Sequence, residues 1–329
     1  MKEIKFTRIE LEDLEKSFLN NSKYISHEIQ ENYIYYKKKY FNKSVFKNLS
    51  FQIKKSDNIV ICPLTLEKKE EGNKINFFGE PIRIFSTKTL DDDLNKFLID
   101  YFKELKKEYS LADFLFKIKN NEDSSTAEKN SYKVGGDIFI NLRLELDEMK
   151  KYFDGKLRNE LKKDNKDLEF VVIDSKNYQK NEILKMRDLH ISVSGRETRS
   201  KDSWIANEKM ILDDSGFLIK VLYKKKIISY NLFYFNKETC VYFSSCTLRE
   251  YFNEVKNIGD KTIWKAIKFS KERSKNFYLG SIFEYLNLKN QKNEKEFNID
   301  KFKLKFNKKY EKFDLYNKIP ERFFSYLNL

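Results

Sequence analysis

The chain has 329 residues, of which 40% are hydrophobic and 35% are charged, and its mean hydropathy is −0.70. This apolar fraction is enough to bury a core and offset chain entropy, so the composition excludes a globally disordered protein. Only 9 glycines and 3 prolines are present, which argues against collagen-like repeats and turn-rich barrels and predicts substantial helices. The length suits one large domain or two of ordinary size.

The charge balance is basic, because 65 Lys and Arg residues against 51 Asp and Glu residues give a net charge of +14. A basic surface favours polyanions such as nucleic acid, nucleotides or anionic lipid headgroups, and so allows peripheral association with a membrane surface. The abundance of Lys, Asn, Ile, Phe and Tyr is equally typical of AT-rich codon usage. The charge alone therefore does not identify a partner.

The three cysteines, Cys62, Cys240 and Cys246, lack CxxC spacing and indicate neither a disulfide framework nor a Cys-type zinc site. Such usage is typical of a reducing compartment. Residues 1–19 lack the apolar stretch of a signal peptide, and no later run reaches the ~18 apolar residues that span a bilayer. The sequence therefore predicts a cytoplasmic protein.

In the first part of the chain, apolar residues recur at helical spacing over residues 9–19 and alternate as in strands within residues 49–85. Residues 89–93 predict a helix start, because the helix dipole favours acidic residues there, and a strand over residues 114–118 follows. Residues 120–131 are polar and are predicted to form a loop.

The second part predicts a similar order of elements. After a strand (137–142), a helix (147–163) and a strand (168–173) come two helices, 181–193 and 201–212, and then a three-stranded meander over residues 216–246. A helix over residues 260–273, with Asp260 as N-cap, leads to a strand at 276–279. Meander, helix and strand thus occur twice, which predicts two similar α/β lobes. Residues 289–296 are predicted to be a charged linker.

Standard catalytic signatures are absent: the sequence has no Walker loop, GxGxxG, GxSxG or HExxH motif. This argues against phosphoryl transfer, hydride transfer and serine hydrolysis. The only histidines, His27 and His190, have no Cys or carboxylate at ligand spacing. No metal site is predicted.

The densest polar cluster is residues 190–204, between two predicted helices. Its guanidinium groups and hydroxyls are the chemistry that holds phosphate or carboxylate, and its indole offers a stacking face. A capped interhelical turn, with its arginines paired to Glu197 or Asp202, explains the same composition, and His190 alone is equally typical of a structural histidine. The candidate site residues here are His190, Arg196, Thr198, Arg199, Ser200 and Trp204.

Two other patterns are basic. Lys156 and Arg158 lie on the predicted helix 147–163, where a basic stripe either follows a phosphate backbone or forms an ordinary solvated face. In Phe302-Lys303-Leu304-Lys305-Phe306, the two aromatic residues would anchor the turn and direct the lysines elsewhere. Cys240 and Cys246 share one face of a predicted strand and are expected in the core.

Three segments carry a resemblance to a known family. The segment 156–163, after the strand Phe139-Ile-Asn-Leu142, looks like a basic helix that follows an "IDL" strand. Residues 259–272 with 277–282 are similar to a "W-x-A-I-x-x-A-K…F-D-L-G-G-I" motif, and residues 302–306 to a closing "F-K-x-x-F-G" motif. Together they resemble the FemAB-like acyltransferases, a branch of the GNAT superfamily with two tandem lobes. The chain departs from these motifs at Tyr278 for Asp, Ser281 for the second Gly, and Asn307 for the last Gly.

The resemblance implies an α/β (α+β) fold of two tandem GNAT-like lobes, residues 1–164 and 165–329, each a mostly antiparallel sheet flanked by helices. It implies transfer of an acyl or aminoacyl group to an amine of a cell-envelope glycan or peptidoglycan precursor, in a cleft between the lobes. The stretch 190–204 resembles a subgroup associated with surface-glycan loci. The donor is a co-substrate, charged tRNA or acyl-CoA, and no tightly bound cofactor is expected.

The resemblance also implies roles for individual residues. Lys303 would stabilise an oxyanion or a donor phosphate, and Arg196 and Arg199 would clamp a substrate phosphate. His190 would orient or deprotonate the amine. Of the Q/R-x-x-G-x-G/A loop that cradles the CoA pyrophosphate in ordinary GNATs, only Gly259 is present, which counts against standard acetyl-CoA chemistry.

Two alternatives stay open. One is an acyl-CoA-dependent N-acyltransferase that acts on a nucleotide-linked amino sugar. The other is a noncatalytic basic protein that binds RNA or a protein partner, although no RRM, KH or OB pattern is present. No DNA partner is expected, and the sequence makes no prediction of the oligomeric state.

Overall fold

A computed structural model describes residues 3–21, 30–41, 45–69, 72–110, 113–119, 133–163, 165–286 and 293–324. Within these ranges the helices are α1 (Leu14–Asn21), α2 (Glu31–Tyr40), α3 (Asp92–Tyr109), α4 (Leu146–Tyr152), α5 (Gly155–Glu160), α6 (Glu182–Ser194), α7 (Lys201–Leu212), α8 (Ile258–Ser270) and α9 (Glu294–Leu304). The strands are β1 (Ile4–Arg8), β2 (Val45–Asn48), β3 (Phe51–Lys55), β4 (Asn58–Cys62), β5 (Thr65–Lys69), β6 (Gly72–Asn76), β7 (Phe85–Ser86), β8 (Asp113–Phe114), β9 (Phe116–Lys119), β10 (Lys133–Asn141), β11 (Leu168–Ile173), β12 (Gly216–Tyr223), β13 (Lys226–Phe235), β14 (Thr239–Thr247), β15 (Asn276–Ile282) and β16 (Glu311–Tyr316).

The first lobe contains two four-stranded sheets, in the orders β1-β3-β4-β7 and β2-β5-β6-β8. Helix α3 packs on them because its buried residues recur at helical spacing, including Leu94, Leu98, Phe102 and Leu105. The helix begins after Asp91, whose carboxylate accepts a hydrogen bond from the Leu94 amide at 2.9 Å. This cap satisfies one of the free amides at the helix start.

The second lobe is built on an eight-stranded sheet in the order β11-β12-β13-β14-β15-β10-β16-β9. Its strands alternate between two cores: one face packs on α8 through Ile263, Ala266 and Ile267, and the other packs on α6 and α7. Strands β12, β13 and β14 form an antiparallel meander, and α8 returns the chain to β15, which is parallel to β14.

The same order of secondary-structure elements occurs in both lobes. In the first, the β5–β6 hairpin leads through α3 to β8, which pairs in parallel with β6. In the second, the β13–β14 hairpin leads through α8 to β15, which pairs in parallel with β14. The predicted fold class, a mixed α/β protein with mostly antiparallel strands in repeated lobes, is confirmed.

The two parts of the chain are joined closely. Strands β9 and β10 precede residue 165, yet both pair with β16 in the eight-stranded sheet. Helix α2 lies on the same side as α6 and α7, where Tyr33 and Tyr36 enter the core cluster that contains Trp204. Because one sheet takes strands from both sides of residue 165, the division of domains at that residue stays a prediction.

Several predicted boundaries are wrong. The helix expected over residues 147–163 is two helices, because Phe153 is extended and Asp154 caps a new helix by accepting from the Lys156 amide. Helix α8 begins at Ile258, and Asp260 lies in its first turn rather than at the N-cap. The strand expected over 75–85 is interrupted at Phe78, which has a positive φ. The predicted loop at 120–131 lies outside the described residues, as do residues 289–292 of the predicted linker; residues 294–296 begin α9.

The Asp91 cap predicts a measurable contribution to stability. We expect Asp91→Ala to lower the free energy of unfolding by about 1 kcal/mol, because the Leu94 amide loses its acceptor. Asp91→Asn keeps an acceptor oxygen and loses only an exposed ion pair with Lys55, so its loss should be smaller. Urea denaturation of the two variants measures the difference, and equal losses would contradict a capping role.

Candidate active site

The central feature of the site is the separation of β14 from β15. These strands pair in parallel only at Thr239–Val241 with Asn276–Tyr278. Beyond that point, within the described strands, each stays paired on its other edge, β14 with β13 and β15 with β10. Backbone N–H and C=O groups that face the opening need other partners. The opening is therefore suited to an extended polar ligand.

Lys303 lies at the β15 side of the opening. Its ammonium donates a hydrogen bond to the Ser281 carbonyl at 2.6 Å, and Ser281 lies three residues beyond Tyr278, the last residue of β15 that pairs with β14. Gly280 has a φ of +94°, and a Cβ there would lie 3.2 Å from the Lys303 Nζ atom. Burial lowers the pKa of Lys303, while the Asp300 and Asp137 carboxylates oppose that shift.

Arg199 lies at the β14 side. Its guanidinium donates to the Ser244 hydroxyl at 2.8 Å and to the Tyr36 hydroxyl at 3.3 Å. Ser244 lies three residues beyond Val241, the last residue of β14 that pairs with β15. The guanidinium also stacks on the Trp204 ring, 4.4 Å from its centroid. Both hydrogen bonds go to neutral hydroxyls, and within the described residues Arg199 has no carboxylate in ion-pair contact.

A cavity of about 300 Å³ adjoins Arg199, and both lobes line it. Helix α2 contributes Tyr36 and Lys37, the turn after β6 contributes Glu80, and the α6–α7 loop contributes Thr198 and Arg199. Lys37 pairs with Glu80 at 2.9 Å, so these two charges cancel and the Arg199 charge remains. Burial raises the pKa of Tyr36 to about 12, against the effect of Arg199, so this hydroxyl stays protonated. The cavity therefore favours a ligand with an anionic group.

A second opening, of about 370 Å³, lies at the start of α3. Its lysines are paired with its own acids: Lys55 contacts Asp91 and Asp93, and Lys88 contacts Asp57. Because these charges are already neutralised, the opening offers no equivalent of the Arg199 guanidinium.

Trp204 packs against the Arg199 guanidinium, and His190 packs against Trp204. The His190 ring meets Trp204 edge-on at 5.6 Å, and its Nδ1 atom is buried without a hydrogen-bond partner. Burial, and secondly the Arg199 charge, lower the pKa of His190, which favours the neutral imidazole. Trp204 is only 1% exposed, so its ring packs under the guanidinium and offers no open face for a substrate to stack on.

Of the remaining candidate residues in 190–204, only Thr198 lines the cavity. Ser200 caps α7 by accepting from the Ser203 amide and donates to the Lys39 carbonyl at 3.2 Å. Thr198 is exposed and lines the cavity, whereas Arg196 is exposed and lies outside its lining. Glu197 pairs with Arg187 at 2.8 Å. Among the described ion pairs, Glu197 therefore has Arg187 as its partner rather than Arg196 or Arg199, whereas the capped interhelical turn of the alternative reading is present.

Lys156 and Arg158 lie elsewhere, exposed on α5. That helix is joined to the start of α8 by a hydrogen bond from the Asn257 side-chain amide to the Glu160 carboxylate at 2.8 Å. In the first turn of α8, Asp260 is buried and pairs with Lys305 at 3.1 Å; burial raises the pKa of Asp260, and Lys305 opposes that shift. A buried ion pair thus occupies the first turn of α8.

Sequence reasoning missed Lys37, Glu80 and helix α2 itself. The buried positions Tyr33, Ile34, Tyr36 and Lys37 recur with helical spacing, a signal that the run of Lys and Tyr obscured. Among the described residues, no three His, Cys, Asp or Glu side chains are grouped to hold a metal ion. Within the same ranges, no helix combines the length and apolarity needed to cross a bilayer.

The environment of His190 predicts a titration that can be measured. We expect its pKa to lie below the usual histidine range and to rise in Arg199→Gln, because that variant removes a nearby positive charge but leaves the imidazole buried. NMR titration of the two imidazoles gives both values, with His27→Gln assigning the signals. An unchanged His190 pKa in Arg199→Gln would show that the two side chains do not interact.

No protein-family model and no curated protein matches the chain. Solved structures do. The match to FemX covers 98% of this chain and 98% of the FemX chain, at 10% identity and a TM-score of 0.61. A C-terminal domain described as that of a lysylphosphatidylglycerol synthetase from Agrobacterium fabrum covers 92% of this chain and 90% of its own, at 16% identity and a TM-score of 0.54. A tandem GNAT protein from the clavulanic acid biosynthesis pathway covers 95% of this chain and 97% of its own, at 8% identity and a TM-score of 0.53. The chain therefore has a FemAB-like tandem GNAT fold.

Proposed function

We propose that this protein is an acyltransferase that transfers an acyl or aminoacyl group to an amine of a cell-envelope glycan or peptidoglycan precursor. The observation that carries the proposal is the opening between β14 and β15, with Lys303 held at one side and Arg199 at the other. The opening is proposed to receive the carbonyl group of the donor, since Lys303 is bound to the strand on one side and Arg199 to the strand on the other. That arrangement suits attack on an activated ester.

The chemistry needs few titratable groups. The amine nitrogen bonds to the acyl carbon, the carbonyl oxygen becomes an oxyanion, and the ester C–O bond then breaks as the leaving oxygen takes a proton. Lys303 is proposed to stabilise the oxyanion or a donor phosphate, because its ammonium is partly buried and donates to the Ser281 carbonyl. His190, whose neutral form is favoured, is proposed to orient the amine or to accept its proton. The lobes supply the remaining barrier reduction by holding the two substrates together.

The acceptor is proposed to enter the cavity between the lobes. Arg199 would hold a phosphate or carboxylate of the acceptor, because among the described residues its guanidinium bonds to hydroxyls and to no carboxylate, and it presents a planar set of donors. Thr198 offers a hydroxyl in the cavity lining, Ser200 is proposed to act by fixing the start of α7 beside Arg199, and exposed Arg196 is proposed to attract the acceptor from outside the cavity. A nucleotide-linked or otherwise phosphorylated glycan precursor fits this chemistry.

We propose charged tRNA as the first candidate donor. Of the CoA pyrophosphate loop expected before α8, the chain has only Gly259, and Asp260 in the first turn of that helix is already paired with Lys305. Lys156 and Arg158 are exposed on the adjacent α5, where they can contact a phosphate backbone. The tandem GNAT neighbour is described in relation to AcCoA, so acyl-CoA is the second candidate donor. The proposed location is the cytoplasm, and the three described cysteines are free and buried.

Mass spectrometry of acceptors incubated with the protein tests the reaction directly. One set of reactions contains charged tRNA and a second contains acetyl-CoA, each with muropeptide and nucleotide-sugar acceptors. We expect a mass increase on the acceptor with charged tRNA, at a rate that falls steeply with salt because phosphate contacts are lost. Transfer from acetyl-CoA alone would overturn the tRNA proposal, and no transfer from either donor would favour a noncatalytic binding protein.

Two variants separate the roles at the opening. We expect Lys303→Gln to lower kcat by about 100- to 1,000-fold through loss of an oxyanion partner. Arg199→Gln should act mainly on KM and lower kcat/KM by about 10- to 100-fold through loss of a charge-assisted hydrogen bond. Arg322→Gln, which removes an exposed guanidinium near Asp92 in the first lobe, is the matched control. Full activity in both site variants would remove the assigned roles.

A further inference from the structure

A buried ion pair lies behind the opening, and the proposed reaction does not use it. The Lys117 ammonium and the Asp137 carboxylate are 2.6 Å apart, and each side chain is only 3% exposed. Lys117 belongs to β9 and Asp137 to β10, and β16 lies between these strands. Lys117 crosses β16 over the Phe313 ring, with its ammonium 3.8 Å from the ring centroid.

Stability alone is a weak explanation for this pair. Removing two charges from water is costly, and apolar residues of similar volume often serve a core equally well or better. The other groups that the Asp137 carboxylate binds explain its presence better.

The second oxygen of Asp137 connects the pair to β15. It accepts hydrogen bonds from the Ser281 hydroxyl at 2.6 Å and from the Tyr278 hydroxyl at 2.8 Å. Asp137 and Ser281 face each other in the antiparallel register of β10 and β15. Ser281 is also the residue whose carbonyl accepts from Lys303. A continuous set of contacts therefore runs from Lys117 through Asp137 and Ser281 to Lys303.

These contacts account for two departures from the FemAB-like motif. Tyr278 stands where the motif has Asp, and Ser281 stands where it has its second Gly. Both new side chains donate to the same oxygen of Asp137, and they also contact each other at 3.0 Å. The carboxylate missing at position 278 is thus matched by one on the neighbouring strand, and the two changed residues are those that bind it.

The β15 backbone around Ser281 is irregular, so a side-chain hydrogen bond to Asp137 can restrain it. The β10–β15 register shifts between Ile138 and Phe139, opposite Gly280 with its positive φ, and β15 has already left β14. An irregular strand with one neighbour holds its carbonyls less firmly than a strand paired on both edges. The Ser281 side chain, fixed by Asp137, restrains the carbonyl that orients Lys303.

We propose that Asp137 is a positioning residue for acyl transfer, which acts through Ser281 to fix the ammonium of Lys303 at the opening. This inference rests on the proposed function of Lys303. Asp137 does not contact substrate, because its oxygens are already engaged by Lys117, Ser281 and Tyr278.

The Asp137 charge also affects the pKa of Lys303. Burial lowers the pKa of Lys303, and Asp300, Asp137 and Glu296 oppose that shift. Asp300 and Glu296 lie on α9 with Lys303, and Asp300 also accepts from the Phe283 and Tyr285 amides. From the sheet, Asp137 acts on Lys303; the partners of Asp137 are Lys117, Tyr278 and Ser281, and the Arg83 charge acts on Tyr278. Removing the Asp137 charge should therefore lower the pKa of Lys303 further.

The test compares three variants of the full chain. Asp137→Asn removes the charge. Ser281→Ala removes the hydroxyl but leaves the Lys117–Asp137 pair intact, so it carries the test if Asp137→Asn does not fold. Glu284→Gln is the matched control, because it removes a buried carboxylate that pairs with Lys133 at 2.9 Å and does not contact Ser281 among the described contacts.

Two measurements are made on each folded variant. Competitive labelling of amines with acetic anhydride across pH, read by peptide mass spectrometry, gives the pKa and reactivity of Lys303 without any substrate. We expect Asp137→Asn to lower that pKa and Ser281→Ala to change the labelling rate, whereas Glu284→Gln changes neither. In the transfer assay, Asp137→Asn and Ser281→Ala should lower kcat by about 10- to 100-fold with KM little changed, as expected when a reacting group is misplaced.

The outcomes separate this inference from the proposed function. Full activity in Lys303→Gln would defeat the function assigned to Lys303, whatever the labelling shows. Loss of activity in Lys303→Gln, together with wild-type labelling and kcat in folded Ser281→Ala, would overturn the role of Asp137. Equal effects of Glu284→Gln and Ser281→Ala would also overturn it, because they would indicate general destabilisation.

Discussion

Hydrogen bonding between the parallel strands β14 and β15 ends after three residue pairs, and the candidate site depends on where it ends. Each strand keeps its outer partner, so the sheet stays intact while an opening forms within it. Arg199 reaches the β14 side through a side-chain hydroxyl, and Lys303 reaches the β15 side through a main-chain carbonyl. The two cations are therefore fixed by the strands that border the opening. Loops alone would hold them less firmly.

Local pairing of charges decides which cations are available to a ligand. The chain has a net charge of +14, yet several lysines near the site already have acidic partners: Lys37 has Glu80, and Lys305 has Asp260. Arg199 differs because its described partners are hydroxyl groups and aromatic rings. A basic composition is thus a poor guide to a binding site, and the partner of each cation is a better one.

Much of the fold could be predicted where the pattern of apolar residues was long and regular. The meander over residues 216–246 and helix 201–212 have nearly the predicted bounds, because alternation and helical periodicity are strong there. The start of α8 could not be predicted, since Asp260 resembles a capping residue in sequence but its carboxylate is buried against Lys305, which is distant in the chain.

The site could be predicted only in part. Arg199 and Lys303 were predicted as site residues because one lies in a dense polar cluster and the other in a short motif, and their roles stay predictions. Lys37 and Glu80 were not, because 43 positions separate them and only the tertiary fold pairs them. The meaning of Tyr278 and Ser281 likewise depends on strand register, which places Asp137 opposite Ser281. Neither composition nor spacing reveals that register.

The order of the strands also bears on how the chain folds during synthesis. Strand β16 lies between β10 and β9, and β9 is at the edge of the sheet. While the ribosome is still translating the middle of the chain, β9 lacks its neighbour in that sheet, and β10 lacks both β15 and β16. Lys303 can join the earlier cationic residues only after β15 has been made, and a nascent chain that stalls before residue 311 leaves β9 without its neighbour in this sheet and one edge of β10 open to chaperones or to aggregation.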